Sequence, residues 1–216
     1  MEKSPIGVFD SGIGGKSVAS AIEKAMSEHQ VVFRDDSKNL PYGNKSIEAI
    51  YEGCLPVLKL LVSDGCEVIV VACNTVSTNL IDRLRQEISV PLIAVEPMVK
   101  PASEQTKSKV IAVCATPRTL SSKRYETLKE QYALGIKVIE PDCSDWTSMI
   151  ENDEVDKVKL ARIIDDVCNQ GADVIVLGCT HYHWIEDLIN DLANNRAVVL
   201  QPEQAVIKQL NTVISS

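Results

Sequence analysis

Two stretches of this chain are near copies of one another: "GCEVIVVACNT" (65–75) and "GADVIVLGCTH" (171–181). Glycine, valine, isoleucine, valine and cysteine fall at the same offsets in both. Each copy centres on a β-branched apolar run too short for a helix, entered through glycine and left through small polar residues. Such a run reads as a strand buried on both faces, which is the pattern of a parallel sheet. Parallel neighbours cannot be joined by a hairpin and need a crossover, usually a helix. The repeat therefore predicts two similar half-domains, each built around one such strand, with helices on both sides of each sheet.

The rest of the chain keeps that rhythm. In the first half "IGVFD" (6–10), "VVF" (31–33), "EVIVVA" (67–72) and "PLIAV" (91–95) read as strands. Between them, Val18, Ile22, Ala25 and Met26 share one helical face. Ser46 is placed to cap a helix running to about Val62, and a further helix is expected around Leu80 to Glu87. In the second half "KVIAVCA" (109–115), "KVIE" (137–140), "DVIVLG" (173–178) and "AVVL" (197–200) read as strands. A helix is expected over 117–132, with Pro117 tolerated in its first turn. Others follow from the spacing of Val155, Val158, Ala161, Ile164 and Val167, and of Ile185, Leu188, Ile189 and Leu192, with a final helix at the C-terminus. The expected fold class is α/β: two pseudo-symmetric, doubly wound domains with mostly parallel sheets. The expected division is 1–96 plus 201–216 for the first domain and 97–200 for the second. In such sheets ligands bind beyond the carboxyl ends of the strands, so the residues just after each strand hold the chemistry.

Bulk properties remove several function classes. A chain of 216 residues that is 45% hydrophobic has material for a core, and its net charge of −8 argues against a nucleic-acid partner. No run approaches the roughly 20 apolar residues of a membrane span, and the start lacks a secretory pattern. With seven cysteines, an odd number, and no export signal, the reading is a cytoplasmic protein with free thiols. No C-x-x-C pair occurs, and the C-x-H-x-H of Cys179, His181 and His183 is a weak metal signal, so no metal is expected.

Cys73 and Cys179 stand apart from Cys54, Cys66, Cys114 and Cys168, which read as packing residues. Each ends a buried strand, and each precedes polar residues, Asn74-Thr75 or Thr180-His181, able to open a helix. A thiol beside a helix N-terminus ionises more readily, because the dipole favours the thiolate. Two opposed thiols have two uses. One removes a proton from a carbon while the other delivers one to the opposite face, inverting a stereocentre; or the pair forms a disulfide, which a reducing compartment disfavours.

The glycine-rich "FDSGIGGKS" (9–17) imitates a phosphate-binding loop. That motif needs G-x-x-x-x-G-K-[ST], and counting back from Gly15-Lys16-Ser17 puts Asp10 where the first glycine belongs. A carboxylate there repels phosphate oxygens, so no nucleotide site follows.

Taken in order, "FDSGIGG", "LPYGNKS", "VVACNTVS" and "VLGCTHY" make the chain resemble the glutamate racemases of the cofactor-independent aspartate/glutamate racemase family. The resemblance covers nearly the whole chain. It implies two α/β domains related by a pseudo-twofold, with the active site in the cleft between them, no cofactor, a homodimer, and L- and D-glutamate as substrate for cell-wall peptidoglycan. It implies Cys73 and Cys179 as the two acid/bases, each serving one enantiomer, assisted by Asp10 and by His181, with Glu151 as the partner of His181. Asp10, Ser11, Tyr42, Gly43, Asn74, Thr75, Thr116, Thr119, Thr180 and His181 would hold the substrate's ammonium and carboxylate groups. In place of the phosphate loop, Asp10 would face an ammonium group and a thiol, and Lys16 would be incidental. Departures from the family pattern are Arg34-Asp35-Asp36 where the family more often has Gly-Asp-Thr, His183 at a usual proline, Lys16 at a usually apolar position, "LQPEQA" (200–205) without the Asp-Ser typical near the end, and a shortened second half. The alternatives are an aspartate racemase or other member of the superfamily, and a non-catalytic amino-acid binder.

Overall fold

The computed structural model describes residues 3–215. The chain divides into two compact units, one formed by the residues up to Glu96 and those from Pro202 onward, the other by Pro97–Gln201. Gln201 thus falls in the second unit. The first unit runs β1 (Lys3–Asp10), α1 (Lys16–Ala25), β2 (His29–Asp35), α2 (Ile47–Ser63), β3 (Val68–Val71), α3 (Asn74–Glu87) and β4 (Leu92–Ala94). The second runs α4 (Val99–Gln105), β5 (Val110–Ala115), α5 (Pro117–Leu120), α6 (Lys123–Tyr132), β6 (Lys137–Ile139), α7 (Trp146–Glu151), α8 (Lys157–Asn169), β7 (Val174–Gly178), α9 (Glu186–Ala193) and β8 (Val198–Leu200). The chain then adds α10 (Glu203–Ile214) to the first unit, against β3, β4 and α1.

Each unit holds one four-stranded sheet, ordered β2-β1-β3-β4 and β6-β5-β7-β8. Every strand pair is parallel, and the repeated strands β3 and β7 occupy the same place in the two orders. β3 is buried along its whole length, as is β7, because helices cover both faces of each sheet. In the first unit Phe9, Ile69 and Val71 pack with Ile50, Cys54, Leu58 and Leu61 of α2 on one face. Val8, Val68 and Val70 pack with Val18, Ile22 and Leu210 on the other. The second unit repeats this, Ile175 and Leu177 against α8 and α9, and Val174 and Val176 against α4 and α6.

Several elements differ from the sequence reading. The helix expected over 117–132 is two helices, because Ser122 caps the second by accepting from Tyr125 N. The helix expected around Leu80 begins at Asn74; its first turns carry buried Asn74, Thr75, Ser77 and Thr78, and buried polar residues leave no apolar period to read. The segment after Cys179 is not an α-helix at first. It is a 3-10 stretch, Thr180–Ile185, and becomes α9 only at Glu186. The short helices α4 and α7 give no periodic signal and were absent from the reading. The cap expected at Ser46 is present: its hydroxyl accepts from Ala49 N at 3.2 Å.

Candidate functional site

In both sheets the chain leaves the first strand toward one side and returns on the other. The carboxyl ends of β1 and β3, and of β5 and β7, are therefore the points where crossovers diverge and leave a crevice. The sequence-predicted residues gather at these two points. Phe9 pairs with Val71, which sets Asp10-Ser11 beside Cys73-Asn74. Ala115 pairs with Gly178, which sets Thr116 beside Cys179-Thr180.

At the first point, Cys73 is the N-cap residue of α3, where unpaired amides and the helix dipole favour negative charge. Its sulfur lies 3.4 Å from Ser11 Oγ. Asp10 is fully buried, and its Oδ2 accepts from Gly15 N at 2.9 Å and Gly12 N at 3.3 Å. The carboxylate thus holds the glycine loop in shape. Gly15 is required there, since a Cβ on it would sit 2.4 Å from Asp10 Cβ. Asn74 is 3% exposed, and both polar atoms of its amide are buried without a hydrogen-bond partner among the described residues. An amide so placed is a ready contact for a polar ligand. Thr75 follows it, also buried.

Tyr42 is committed elsewhere than the sequence suggests. Its phenol donates to Asp36 Oδ2 at 2.5 Å. Burial first, then the Asp36 carboxylate, push the phenol far above its usual range, so it stays a donor. Asp36 also accepts from Asn39 Nδ2 at 2.9 Å, and its own N–H donates to the Asp10 carbonyl at 3.3 Å. Asp36 therefore ties the turn carrying Tyr42 and Gly43 to the end of β1. The sequence marks Asp36 only as a departure from the family pattern and gives it no role, because a second aspartate after an aspartate looks like solvated surface.

At the second point, Cys179 has a different setting. The expectation that both thiols sit on α-helix N-termini is corrected: Cys179 precedes the 3-10 stretch. Its neighbours are side chains instead. His181, 1% exposed, places Nδ1 3.8 Å from Cys179 Sγ and Nε2 2.5 Å from Glu151 Oε1. A carboxylate can only accept, so the imidazole proton belongs on Nε2, leaving Nδ1 as the acceptor facing the thiol. That arrangement can take a proton from the sulfur and hold the resulting imidazolium against Glu151. Thr147 Oγ1, unmarked by the sequence reading, lies 3.9 Å from the same sulfur. Thr116 and Thr119 serve each other: Thr116 Oγ1 caps α5 by accepting from Thr119 N and donates to Thr119 Oγ1 at 3.1 Å. Thr180, next in the chain after Cys179, is buried.

All seven cysteines are free thiols. Burial pushes Cys54 up to about 12 and raises Cys66, Cys143 and Cys168, which suits packing residues. Among the described residues no three His, Cys, Asp or Glu side chains gather to hold a metal ion, and no helix is long and apolar enough to cross a membrane.

Two four-stranded parallel sheets of the same strand order, each with a cysteine just past the end of its repeated strand, define a two-unit α/β protein. The family model for Asp/Glu/Hydantoin racemase matches residues 11–210. The chain belongs to that family and is an amino-acid racemase, an isomerase. It is 34% identical to the glutamate racemase of Herpetosiphon aurantiacus over 220 residues, covering 100% of this chain and 87% of that one. It is 38% identical to the glutamate racemase of Methylococcus capsulatus over 210 residues, covering 95% and 78%. The solved structure of Escherichia coli glutamate racemase, in complex with L-glutamate and the activator UDP-MurNAc-ala, shares the fold at a TM-score of 0.90 and 24% identity, covering 99% and 83%. That of Francisella tularensis glutamate racemase in complex with D-glutamate has a TM-score of 0.82 at 26% identity, covering 100% and 82%.

Proposed function

We propose that this chain is a glutamate racemase that interconverts L- and D-glutamate without a cofactor, with Cys73 and Cys179 serving opposite faces of the α-carbon. One cysteine as thiolate takes the α-proton and becomes a thiol. The other thiol gives its proton to the opposite face and becomes a thiolate. No proton is lost overall, and the enzyme ends in the mirror protonation state, ready for the other enantiomer. The α-proton of an amino acid is a very weak acid, so the carbanion-like transition state needs fixed donors near the carboxylate and ammonium groups. Asn74, Thr75, Thr180, Thr116, Thr119, Ser11 and the main chain at Gly43 are the groups for that. Asp10 assists the Cys73 side, and His181 with Glu151 the Cys179 side.

The observation that carries this reading is the matched position of the two thiols, each at a β-strand end at the same step of the same strand order, each with a proton-handling neighbour. The D-enantiomer of glutamate is a building block of peptidoglycan, and we assign the product to that use, in a homodimeric enzyme of the cytoplasm. The test is incubation with each glutamate enantiomer in D2O with no added cofactor. Deuterium should enter the α-carbon as the optical rotation decays, and Cys73→Ala and Cys179→Ala should each abolish racemisation. Unchanged L-glutamate with folded protein overturns the reading. Aspartate run beside glutamate tests the related substrate, and ligand-induced stabilisation without exchange would mark a binder.

A further inference from the structure

We propose that Thr147 donates a hydrogen bond to the Cys179 thiolate and so sets how readily that sulfur gives up its proton. The proposal rests on the reading of Cys179 as a catalytic base and adds a residue that the sequence did not mark.

The position of Thr147 is tightly fixed. Trp146, fully buried, packs edge-on to Tyr182 with ring centroids 5.0 Å apart. Tyr182 Oη donates to the Cys143 carbonyl at 2.9 Å. These contacts bind the start of α7 to the segment that follows β7. Thr147 and Glu151 are four residues apart on α7, hence on one face, and both reach the same cluster. Glu151 meets the far nitrogen of His181, and Thr147 meets the sulfur itself.

A threonine in a helix ordinarily satisfies its hydroxyl on the carbonyl four residues back. Here that carbonyl belongs to Cys143, and it already accepts from Trp146 N at 3.2 Å and from Tyr182 Oη. The hydroxyl lies 3.9 Å from Cys179 Sγ and also within hydrogen-bonding reach of the Tyr182 phenol. Once His181 takes the thiol proton, the sulfur carries a full negative charge and becomes the stronger acceptor of the two. The other titratable groups around the sulfur are neutral donors. Tyr182 is held far above its usual range by burial and then by the sulfurs of Cys179, Cys143 and Cys114, and Cys143 by burial and then by Cys114. Facing the sulfur are His181, with Glu151 behind it, and the Thr147 hydroxyl. At the other thiol the bond runs the opposite way, Cys73 Sγ donating to Ser11 Oγ at 3.4 Å.

The test compares Thr147→Val, which keeps shape and removes the hydroxyl, with Thr147→Ser, which restores it. The first readout is iodoacetamide alkylation of Cys179 against pH, followed by peptide mass spectrometry. Its midpoint should rise by roughly half to one pH unit in Thr147→Val and return in Thr147→Ser. The second is kcat/KM, which should fall roughly three- to tenfold at neutral pH, the effect of removing one hydrogen bond to a charged group. The fall must be equal in both directions, because a racemisation has an equilibrium constant of one. If Thr147→Val melts early, Thr147→Ala also lacks the hydroxyl and must show the same midpoint shift. Coincident alkylation profiles for wild type and Thr147→Val, or a Thr147→Ser as shifted as Thr147→Val, overturn the proposal. Wild-type protein that incorporates no α-deuterium overturns the racemase reading instead, and the alkylation series still decides the part played by Thr147.

Discussion

Replacing Gly15 by alanine separates two forces that act in opposite directions. Gly15 has φ −65° and ψ −11°, a conformation alanine adopts without strain. Removing a glycine there stiffens the unfolded chain, which on its own stabilises by about 0.4–1 kcal/mol. Against this, the new Cβ lies 2.4 Å from Asp10 Cβ and 3.0 Å from Phe33 Cε2. Asp10 Cβ is anchored at the end of a central strand and cannot swing away as the tip of a long side chain would. Either the overlap persists, at about 1–3 kcal/mol, or the loop retreats and loses the 2.9 Å bond from Gly15 N to the buried carboxylate, at about 1.5–3 kcal/mol. The two are alternatives, so only one is counted. The net is a destabilisation of up to about 2.5 kcal/mol. For a chain of this length that is a fall in Tm of up to about 10 °C.

Turnover is the more sensitive readout. A retreat of the loop moves Asp10 and Ser11 relative to Cys73, and a sub-ångström misplacement at a proton-transfer site lowers the rate steeply. We expect kcat to fall by about tenfold or more. The assay is a thermal melt alongside D2O exchange on the same preparation. A Gly15→Ala protein with wild-type Tm or higher and undiminished exchange would show that Asp10 does not cap the glycine loop, and the account of that loop would fail.

Three further outcomes follow from single contacts. Asp173 is partly buried, which opposes its ionisation, yet the Thr106 hydroxyl and the amides of Ser108 and Lys107 bring it down to about 2. A depressed carboxyl contributes stability that is complete above its ordinary value near 3.8 and is lost as pH falls toward about 2; Asp173→Asn should flatten that limb of an acid-denaturation curve, and an unchanged limb would refute the assignment. Asn74→Ala deletes two buried polar atoms that have no partner among the described residues, so Tm should hold within a few degrees while KM rises by about tenfold; a loss of about 2 kcal/mol or more would mean the amide is structurally bonded. Lys16 is exposed at the start of α1, so Lys16→Leu should leave turnover within about twofold, surface substitutions being close to neutral, and a large drop would reopen the anion-loop reading.

The strands were legible because burial on both faces writes itself as β-branched runs, and β1, β3, β5 and β7 carry such runs. The switch points followed from them, since parallel order and crossover connections leave few topologies. The start of α3 was not legible, because Asn74, Thr75, Ser77 and Thr78 are polar and buried at once, and pattern reading equates polar with exposed. Thr147 was hidden for a different reason. Its partner, Cys179, lies far away in sequence, and no local spacing records such a pair.

The same distinction explains why the repeat is faithful in backbone and unfaithful in chemistry. β3 and β7 deliver their cysteines to equivalent steps of equivalent sheets, and strand order alone enforces that. The groups beside each sulfur come from elements the repeat does not copy. Cys73 has the N-terminus of a fourteen-residue helix and the Ser11 hydroxyl from the glycine loop. Cys179 has a 3-10 turn, an imidazole two residues on, and two side chains from α7. A helix dipole is fixed and does not titrate, whereas an imidazole does. Two thiols on matched scaffolds are thus supported by unmatched means. Glu151→Gln, which weakens the acceptor behind His181, should therefore change the pH dependence of alkylation at Cys179 and leave that at Cys73 as it is. Identical curves in wild type and Glu151→Gln would mean that His181 and Glu151 do not govern the sulfur they surround.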